Sequence, residues 1–302
     1  MLNSFIRVEN QKNGNETNKN MIYLSNMLFL HLIINSTKVP DSIVIIPTYN
    51  EKENIARIIR KVLSLEGDFN ILIIDDNSPD GTAAIVRELI MENQNRLFLI
   101  ERSGKLGLGT AYIAGFKWAL GNHYEYIFEM DADFSHDPND LLRLHDACKN
   151  QRADLTIGSR YISGINVINW PLKRVLMSYF ASVFVRKVTG MPIMDTTAGF
   201  KCYRHNVLET IDIGKIKMKG YGFQIEMKFK TWKHGFKIKE IPIIFTDRKE
   251  GTSKMSGGIF GEAFKGVIKM KIISWFKTYK RVSTGEYPII NHSNTLENIN
   301  HA

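Results

Sequence analysis

An α/β fold built on a mostly parallel sheet, with helices on both faces, is what the sequence predicts. Short β-branched runs alternate with segments of helical length from Asp41 to about Arg160. Those runs are continuously apolar rather than alternating, as strands covered on both faces must be. Several end on acidic or polar residues, which puts a polar crevice outside one edge of the sheet.

The strands are expected at Ser42–Pro47, Asn70–Asp75, Arg96–Glu101, Tyr126–Met130 and Leu155–Ser159. Ile71-Leu72-Ile73-Ile74 is an apolar run, and Tyr124 to Met130 is an aromatic and apolar one. Helices fill the gaps near Glu51–Leu65, Thr82–Asn93, Leu108–Leu120 and Asn139–Lys149. The second and fourth are opened by turn signals, Ser78-Pro79-Asp80-Gly81 and Asp137-Pro138-Asn139. Past Arg160 the alternation breaks. Trp170 to Thr189 has helical spacing of Leu172, Leu176, Tyr179–Phe180 and Val183–Phe184, bracketed by Lys173, Arg174, Arg186 and Lys187. A further helix is expected at Gly222–His234, then short strands at Lys237–Ile241 and Ile243–Thr246. The last helix, Ile259–Lys277, sets Phe260, Phe264, Val267–Ile268 and Trp275 against Lys265, Lys269 and Lys277. Such a stripe packs on a core or lies in a membrane interface.

The chain has 302 residues, 44% of them hydrophobic and 24% charged, enough for one large ordered domain. Residues 1–38 read as an extension outside the fold, 39–281 as the domain, and 282–302 as a polar, disordered tail. Within the domain, the alternating stretch 39–160 and the remainder, 161–281, read as two halves. The net charge of +9 suits anionic partners, phosphates or acidic lipid, though a Lys-, Ile- and Asn-rich coding bias gives the same number. Nucleic acid is disfavoured because no binding signature accompanies the charge. Cys148 and Cys202 lack metal-ligand spacing and suit a reducing cytosol. No apolar run reaches the roughly 20 residues that span a bilayer; the nearest, Met21 to Asn35, is broken by Asn26 and His31.

Chemistry concentrates at three strand ends. Asp131 and Asp133, in Met130-Asp131-Ala132-Asp133-Phe134-Ser135-His136, are two carboxylates one residue apart, placed to reach a divalent cation. Asp75 and Asp76 close the Ile71–Ile74 run, and Pro47-Thr48-Tyr49-Asn50-Glu51 closes the first strand. Acceptors for a cation, a ribose and a base at neighbouring strand ends point to a nucleotide-sugar site rather than three solvated turns. Gly104-Lys105-Leu106-Gly107-Leu108-Gly109-Thr110 is not a Walker loop, because Leu follows the lysine. It reads as a turn opening a helix or as close packing of that helix on the sheet.

Pro47–Glu51, Asp75-Asp76, Asp131-Ala132-Asp133 and Gly158-Ser159-Arg160-Tyr161 together resemble the family-2 glycosyltransferases. Within these, Asp76–Thr82, Asn169-Trp170-Pro171 and Arg248 with Lys254 resemble the dolichyl- or polyprenyl-phosphate mannosyltransferases, over roughly Ser42 to Trp275. The resemblance implies a GT-A architecture, Rossmann-like, with acceptor-side helices at the C-terminal end. It implies inverting transfer of mannose from GDP-mannose to dolichyl or polyprenyl phosphate, with Mg²⁺ or Mn²⁺, at the cytoplasmic membrane face, by a peripheral protein with or without a membrane partner subunit. A UDP-glucose-using glucosyltransferase and a non-catalytic nucleotide- or lipid-binding protein are the rival readings. Pro47, Tyr49, Glu51, Ile74, Asp76, Asp131 and Ala132 would line the nucleotide pocket. Asp133 would hold the metal, with Ser135 standing where relatives carry a Gln ligand and His136 or water as other donors. Arg160, Arg248 and Lys254 would join Asp133 in catalysis and donor-phosphate binding, and Arg174 and Ser178 would meet the acceptor phosphate. Asp75 and Asp80 read equally as turn caps.

A lipid phosphate, with a second pKa near 6, is already largely dianionic at neutral pH and can attack without a general base. Asp195 and Glu226, the carboxylates that could act as one, are therefore read as positioning residues. Because the strand pattern starts after them, deleting residues 1–38 should spare folding and transfer. An insoluble or inactive truncation would show that Met21–Asn35 belongs to the working protein.

Overall fold

The computed structural model describes residues 41–247 and 258–280. The expected N-terminal extension, the tail, and both Arg248 and Lys254 lie outside the described residues.

Seven strands form the main sheet: β1 (Ser42–Thr48), β2 (Phe69–Asp75), β3 (Leu97–Glu101), β4 (Tyr126–Glu129), β5 (Leu155–Ser159), β7 (Lys201–Arg204) and β8 (Ile238–Pro242). Their order is β3-β2-β1-β4-β7-β5-β8. Every neighbouring pair is parallel except the two made by β7, which runs antiparallel to β4 and β5. β6 (Val167–Ile168) and β9 (Phe245–Thr246) make a separate parallel ribbon. The helices are α1 (Ile55–Leu63), α2 (Thr82–Glu92), α3 (Leu108–Gly121), α4 (Asp140–Lys149), α5 (Leu172–Thr189), α6 (His205–Thr210), α7 (Tyr221–Lys233) and α8 (Gly258–Phe276).

Alternation along each strand feeds two cores. Ile43 and Ile45 of β1, with Leu72 and Ile74 of β2, pack under Phe116 of α3 and Phe223 of α7. Val44, Ile46, Ile71 and Ile73 face the other way, against α1, α2 and α4. The buried residues of α1 are Ile55, Ile58, Ile59 and Val62, one apolar stripe at helical spacing. Gly109 of α3 lies against Phe223, where a Cβ would stand 3.0 Å from the ring. Gly107, at φ +100°, takes a left-handed turn just before α3. The segment thus turns into the start of α3, and its close packing, at Gly109, is against α7 rather than the sheet.

The expected run Ile243–Thr246 shortens to Phe245–Thr246 and leaves the main sheet to pair with β6. The larger departure is β7. Four residues, Lys-Cys-Tyr-Arg, insert between β4 and β5 and set Lys201 opposite Glu129. Lys201 Nζ lies 3.0 Å from Glu129 Oε1, and both side chains are fully buried. Gln224 of α7 closes the triangle: its amide donates to Glu129 Oε2 at 2.8 Å and its carbonyl accepts from Lys201. Burial lowers the pKa of the Lys201 ammonium, and Glu129 works against that shift.

Removing one member of a buried pair strands the other charge, so Lys201→Met should cost about 3–5 kcal/mol of unfolding free energy. Lys201→Met combined with Glu129→Met should cost far less. Chemical denaturation of the single and double variants measures both, and equal losses would deny the pair its structural role.

Candidate active site

The chain runs outward from β1 to β2 and β3 and then crosses to β4 on the other side of β1. A crevice opens where that order reverses. β1 pairs with β4 only as far as Ile45–Glu129, but with β2 as far as Thr48–Asp75. Pro47 explains part of this. Ile45 accepts from Met130 on the β4 side and Thr48 accepts from Asp76 on the β2 side. By the two-residue period, Pro47 faces β4 with no N–H to offer.

Three loops leave these strand ends, and each holds a non-glycine residue in the left-handed region: Asn50 (φ 55°), Asn77 (φ 56°) and Phe134 (φ 57°). Asparagine tolerates this conformation; phenylalanine adopts it only under constraint. Phe134 sits between Asp133 and Ser135, and the Ser135 N–H donates to Asp133 Oδ1 at 3.0 Å. The Arg57 guanidinium of α1 lies over the Phe134 ring at 5.1 Å. Asp131 is half-buried, 3.5 Å from the Tyr112 hydroxyl of α3, and that ring stacks on Phe223 of α7. Ala132 and Ser135 are buried.

In the β2 loop the two aspartates divide their work. Asp75, fully buried, accepts from the Thr48 hydroxyl at 2.8 Å and the Ser78 N–H at 2.8 Å, which ties the first two loops together. Asp80 accepts from the Thr82 N–H and hydroxyl and from the Lys52 N–H. Asp76 instead meets Arg102, whose Nε donates to it at 2.6 Å. The same guanidinium donates to the Thr110 hydroxyl at 2.8 Å and the Gly107 carbonyl at 3.3 Å. Lys105 lies 4.5 Å above the Tyr49 ring. Glu51 is buried and accepts from the Asn54 amide. Ile74 lies wholly in the core, so its side chain faces packing rather than the crevice.

Beyond β5, Arg160 is buried and bidentate to Asp195, with Nε and Nη2 each at 2.7 Å, and Nη2 also meets the Thr197 hydroxyl. Burial works against the guanidinium charge, but Asp195 outweighs it and raises the Arg160 pKa. Asp195 is held below the usual carboxylate range, burial being overcome by Arg160. Lys228, also fully buried, donates to the carbonyls of Thr196 and Ala198 and holds that segment in place. Burial and the neighbouring Lys201 push its pKa well down. Glu226 accepts from the N–H groups of Lys217 and Met218 and pairs with Lys230. Asp195 and Glu226 thus both serve the frame. His136, stacked on Phe200 at 4.9 Å, feels both Asp133 and Arg160, so it stands between the two regions; burial holds it neutral, with a pKa of about 4.

A cleft of about 300 Å³ opens beside Arg160, between α5 and α8. Arg160, Arg174, Ser178 and Thr197 line it as polar groups, and Met177, Phe184, Val185, Phe264 and Val267 as apolar ones. Arg174 is steadied by Asp247 at 2.8 Å and by the Trp170 ring at 4.1 Å. The structure therefore brings Arg160, Arg174 and Ser178 to one cleft and sets Pro47, Tyr49, Glu51, Asp76, Asp131 and Asp133 at or just past the ends of β1, β2 and β4. Arg102, Lys201, Gln224 and Lys228 were not among the residues singled out from the sequence.

A crevice at a strand-order reversal is where open α/β sheets bind their ligands. The family model for glycosyl transferase family 2 matches residues 43–212, more than half of the chain. The chain belongs to that family and is a glycosyltransferase. It is 45% identical over 234 residues to polyprenol monophosphomannose synthase of Mycolicibacterium smegmatis, covering 78% of this chain and 86% of that protein. It is 43% identical over 225 residues to undecaprenyl-phosphate mannosyltransferase of Micrococcus luteus, covering 74% and 91% respectively. Among solved structures, glucosyl-3-phosphoglycerate synthase from Mycobacterium tuberculosis superposes with a TM-score of 0.53 at 17% identity, over 77% of this chain and 79% of that one. That likeness confirms the GT-A type of fold.

If the Arg102 fork fixes Asp76 against the start of α3, Arg102→Ala should cost about 1–3 kcal/mol, and Arg102→Lys should recover less than half of it. Urea titration of the three proteins tests this, and a loss for Arg102→Ala below about 0.5 kcal/mol would mark the contact as ordinary surface polarity.

Proposed function

We propose that the protein transfers mannose from GDP-mannose to a polyprenyl phosphate, with inversion at the anomeric carbon. The observation that carries this reading is the cleft between α5 and α8. Its polar residues include two arginines and its other walls are aliphatic and aromatic, which suits a phosphate on a hydrocarbon chain and ill suits a sugar hydroxyl acceptor. The mannosyltransferase relatives support the sugar and the acceptor class. GDP as the leaving nucleotide rests on the resemblance of the strand-end motifs.

The donor's nucleotide would occupy the crevice, with Pro47, Tyr49, Glu51 and Asp76 around base and ribose and Asp131 near the ribose. Among the described residues no three His, Cys, Asp or Glu side chains gather to enclose a metal. Asp131 and Asp133 offer oxygen donors alone, a set that suits Mg²⁺ or Mn²⁺ completed by phosphate and water and not a zinc cage. Asp133, with Ser135 beside it, would hold that ion, which when bound offsets charge developing on the departing diphosphate. Arg174 and Ser178 would orient the acceptor phosphate, with Arg160 fixed nearby by Asp195. Asp195 and Glu226 are occupied by structural bonds, in keeping with an acceptor that needs no base. Arg248 and Lys254 would complete the phosphate contacts from the segment that follows β9.

None of the helices described is long and apolar enough to cross a membrane. The polyprenyl chain nonetheless stays in the bilayer, so the protein would meet it at the surface. Leu172, Phe180 and Trp275 are exposed on α5 and α8, as are Lys173, Lys265 and Lys269. Aromatic and cationic side chains together favour the headgroup region of anionic membranes.

Asp133→Asn should lower mannose transfer roughly 10²–10³-fold while changing stability by no more than about 1 kcal/mol. Radiolabelled GDP-mannose with polyprenyl phosphate, followed by solvent extraction, gives the rate. Near-normal turnover by the variant would remove Asp133 from the reaction.

A further inference from the structure

We propose that Glu240 is a positioning residue for transfer, which sets the Arg160–Asp195 fork from behind and touches no substrate itself. The inference rests on the place given to Arg160 under Proposed function, and it adds the residue on which that place depends.

Glu240 belongs to β8, the last strand in the order of the sheet. Among the described residues no strand lies beyond it, and residues 190–200, between α5 and β7, form no helix or strand of their own. Backbone groups in such a stretch need partners from elsewhere. Glu240 supplies them. Its Oε2 accepts from the Met194 N–H at 2.7 Å and its Oε1 from the Asp195 N–H at 2.9 Å. Two successive N–H groups turned onto one carboxylate make a clamp of the stronger kind of hydrogen bond. The same Oε1 accepts from the Ser159 hydroxyl at 2.7 Å.

Ser159 and Asp195 are the residues that fix Arg160. Ser159 ends β5 and precedes Arg160 in the chain. Asp195 accepts from the main-chain N–H of Arg160 at 3.0 Å as well as from its guanidinium. One carboxylate therefore sets both the root of the Arg160 side chain and the group that grips its tip. Glu240 does this from outside the cleft. It lines a separate hollow, with Ile193, Trp232 and Phe236, whereas Arg160 lines the cleft. Its influence on transfer passes through Arg160, and misplacing a positioned group by about 1 Å costs on the order of 10²-fold in rate.

The test is a double-mutant cycle on the intact enzyme. Glu240→Gln keeps the shape but has one acceptor oxygen in place of two, so its amide N–H₂ faces a donor. Arg160→Lys keeps the charge and abolishes the fork. kcat/KM for polyprenyl phosphate, with GDP-mannose saturating, is measured for the wild type, both single variants and the double variant. Thermal melts confirm that each is folded at the assay temperature. Glu240→Gln should lower kcat/KM about tenfold or more in the wild type but no more than about threefold in Arg160→Lys, where no fork is left to misplace. A purely structural role multiplies both backgrounds by the same factor. A loss in the wild type that exceeds the loss in Arg160→Lys by less than about threefold overturns the inference. If Glu240→Gln melts below the assay temperature, Ser159→Ala, which removes one donor and leaves the clamp on Met194 and Asp195, takes its place under the same criterion. Near-normal transfer by Arg160→Lys would instead take the fork out of the reaction, and with it the reading on which the inference stands.

Discussion

Glu129 and Lys201 face each other across an antiparallel pair of strands, out of reach of water, and the place of β7 in the sheet depends on that contact. β4 comes from the part of the chain that builds the strand-end crevice, β7 from the part that carries the cleft. Neither would bury its charge alone, because an isolated ion in the interior costs several kcal/mol. Together, with Gln224 satisfying both partners, they fix β7 between β4 and β5. That fixes the segment just before β7, where Asp195 and Thr197 hold Arg160 and where Lys228 grips the main chain. A pair of charges two residues from Asp131 thus sets the distance between crevice and cleft.

α7 is the second element common to both regions. On one side Phe223 supports Tyr112, which reaches Asp131, and Gln224 bonds Glu129. Further along the same helix, Ile225 lines the cleft and Lys228 fixes the Thr196–Ala198 segment. A rigid helix tied at several points holds crevice and cleft in register more cheaply than two loops could, since no loop ordering is needed. The buried lysines Lys201 and Lys228 are in this sense positioning residues.

The elements legible in the sequence were those whose apolar pattern is continuous. β1 and β2 contain continuous apolar runs, and the helices from α1 to α5 fall within a few residues of their expected bounds because their stripes are unambiguous. β7 left no such trace. A four-residue stretch with lysine at one end and arginine at the other reads as surface, and only the partner Glu129, 72 positions earlier, makes Lys201 a core residue. The same holds for the site. Asp76, Asp131, Asp133 and Pro47 stand at strand ends and could be found by position. Arg102, Gln224 and Lys228 act through contacts between distant segments, and nothing local marks them.

Pro47 shapes the crevice through a backbone hydrogen that it lacks. An ordinary residue there would present an N–H to β4, and the two strands could extend their ladder toward Asp131. With that hydrogen missing, β1 cannot donate the next bond of the ladder and keeps only the Pro47 carbonyl as an acceptor. The gap between the strand ends is therefore a ground-state feature of the backbone. A ligand arriving there finds no hydrogen bonds to break, and its binding energy is not diverted into parting the sheet.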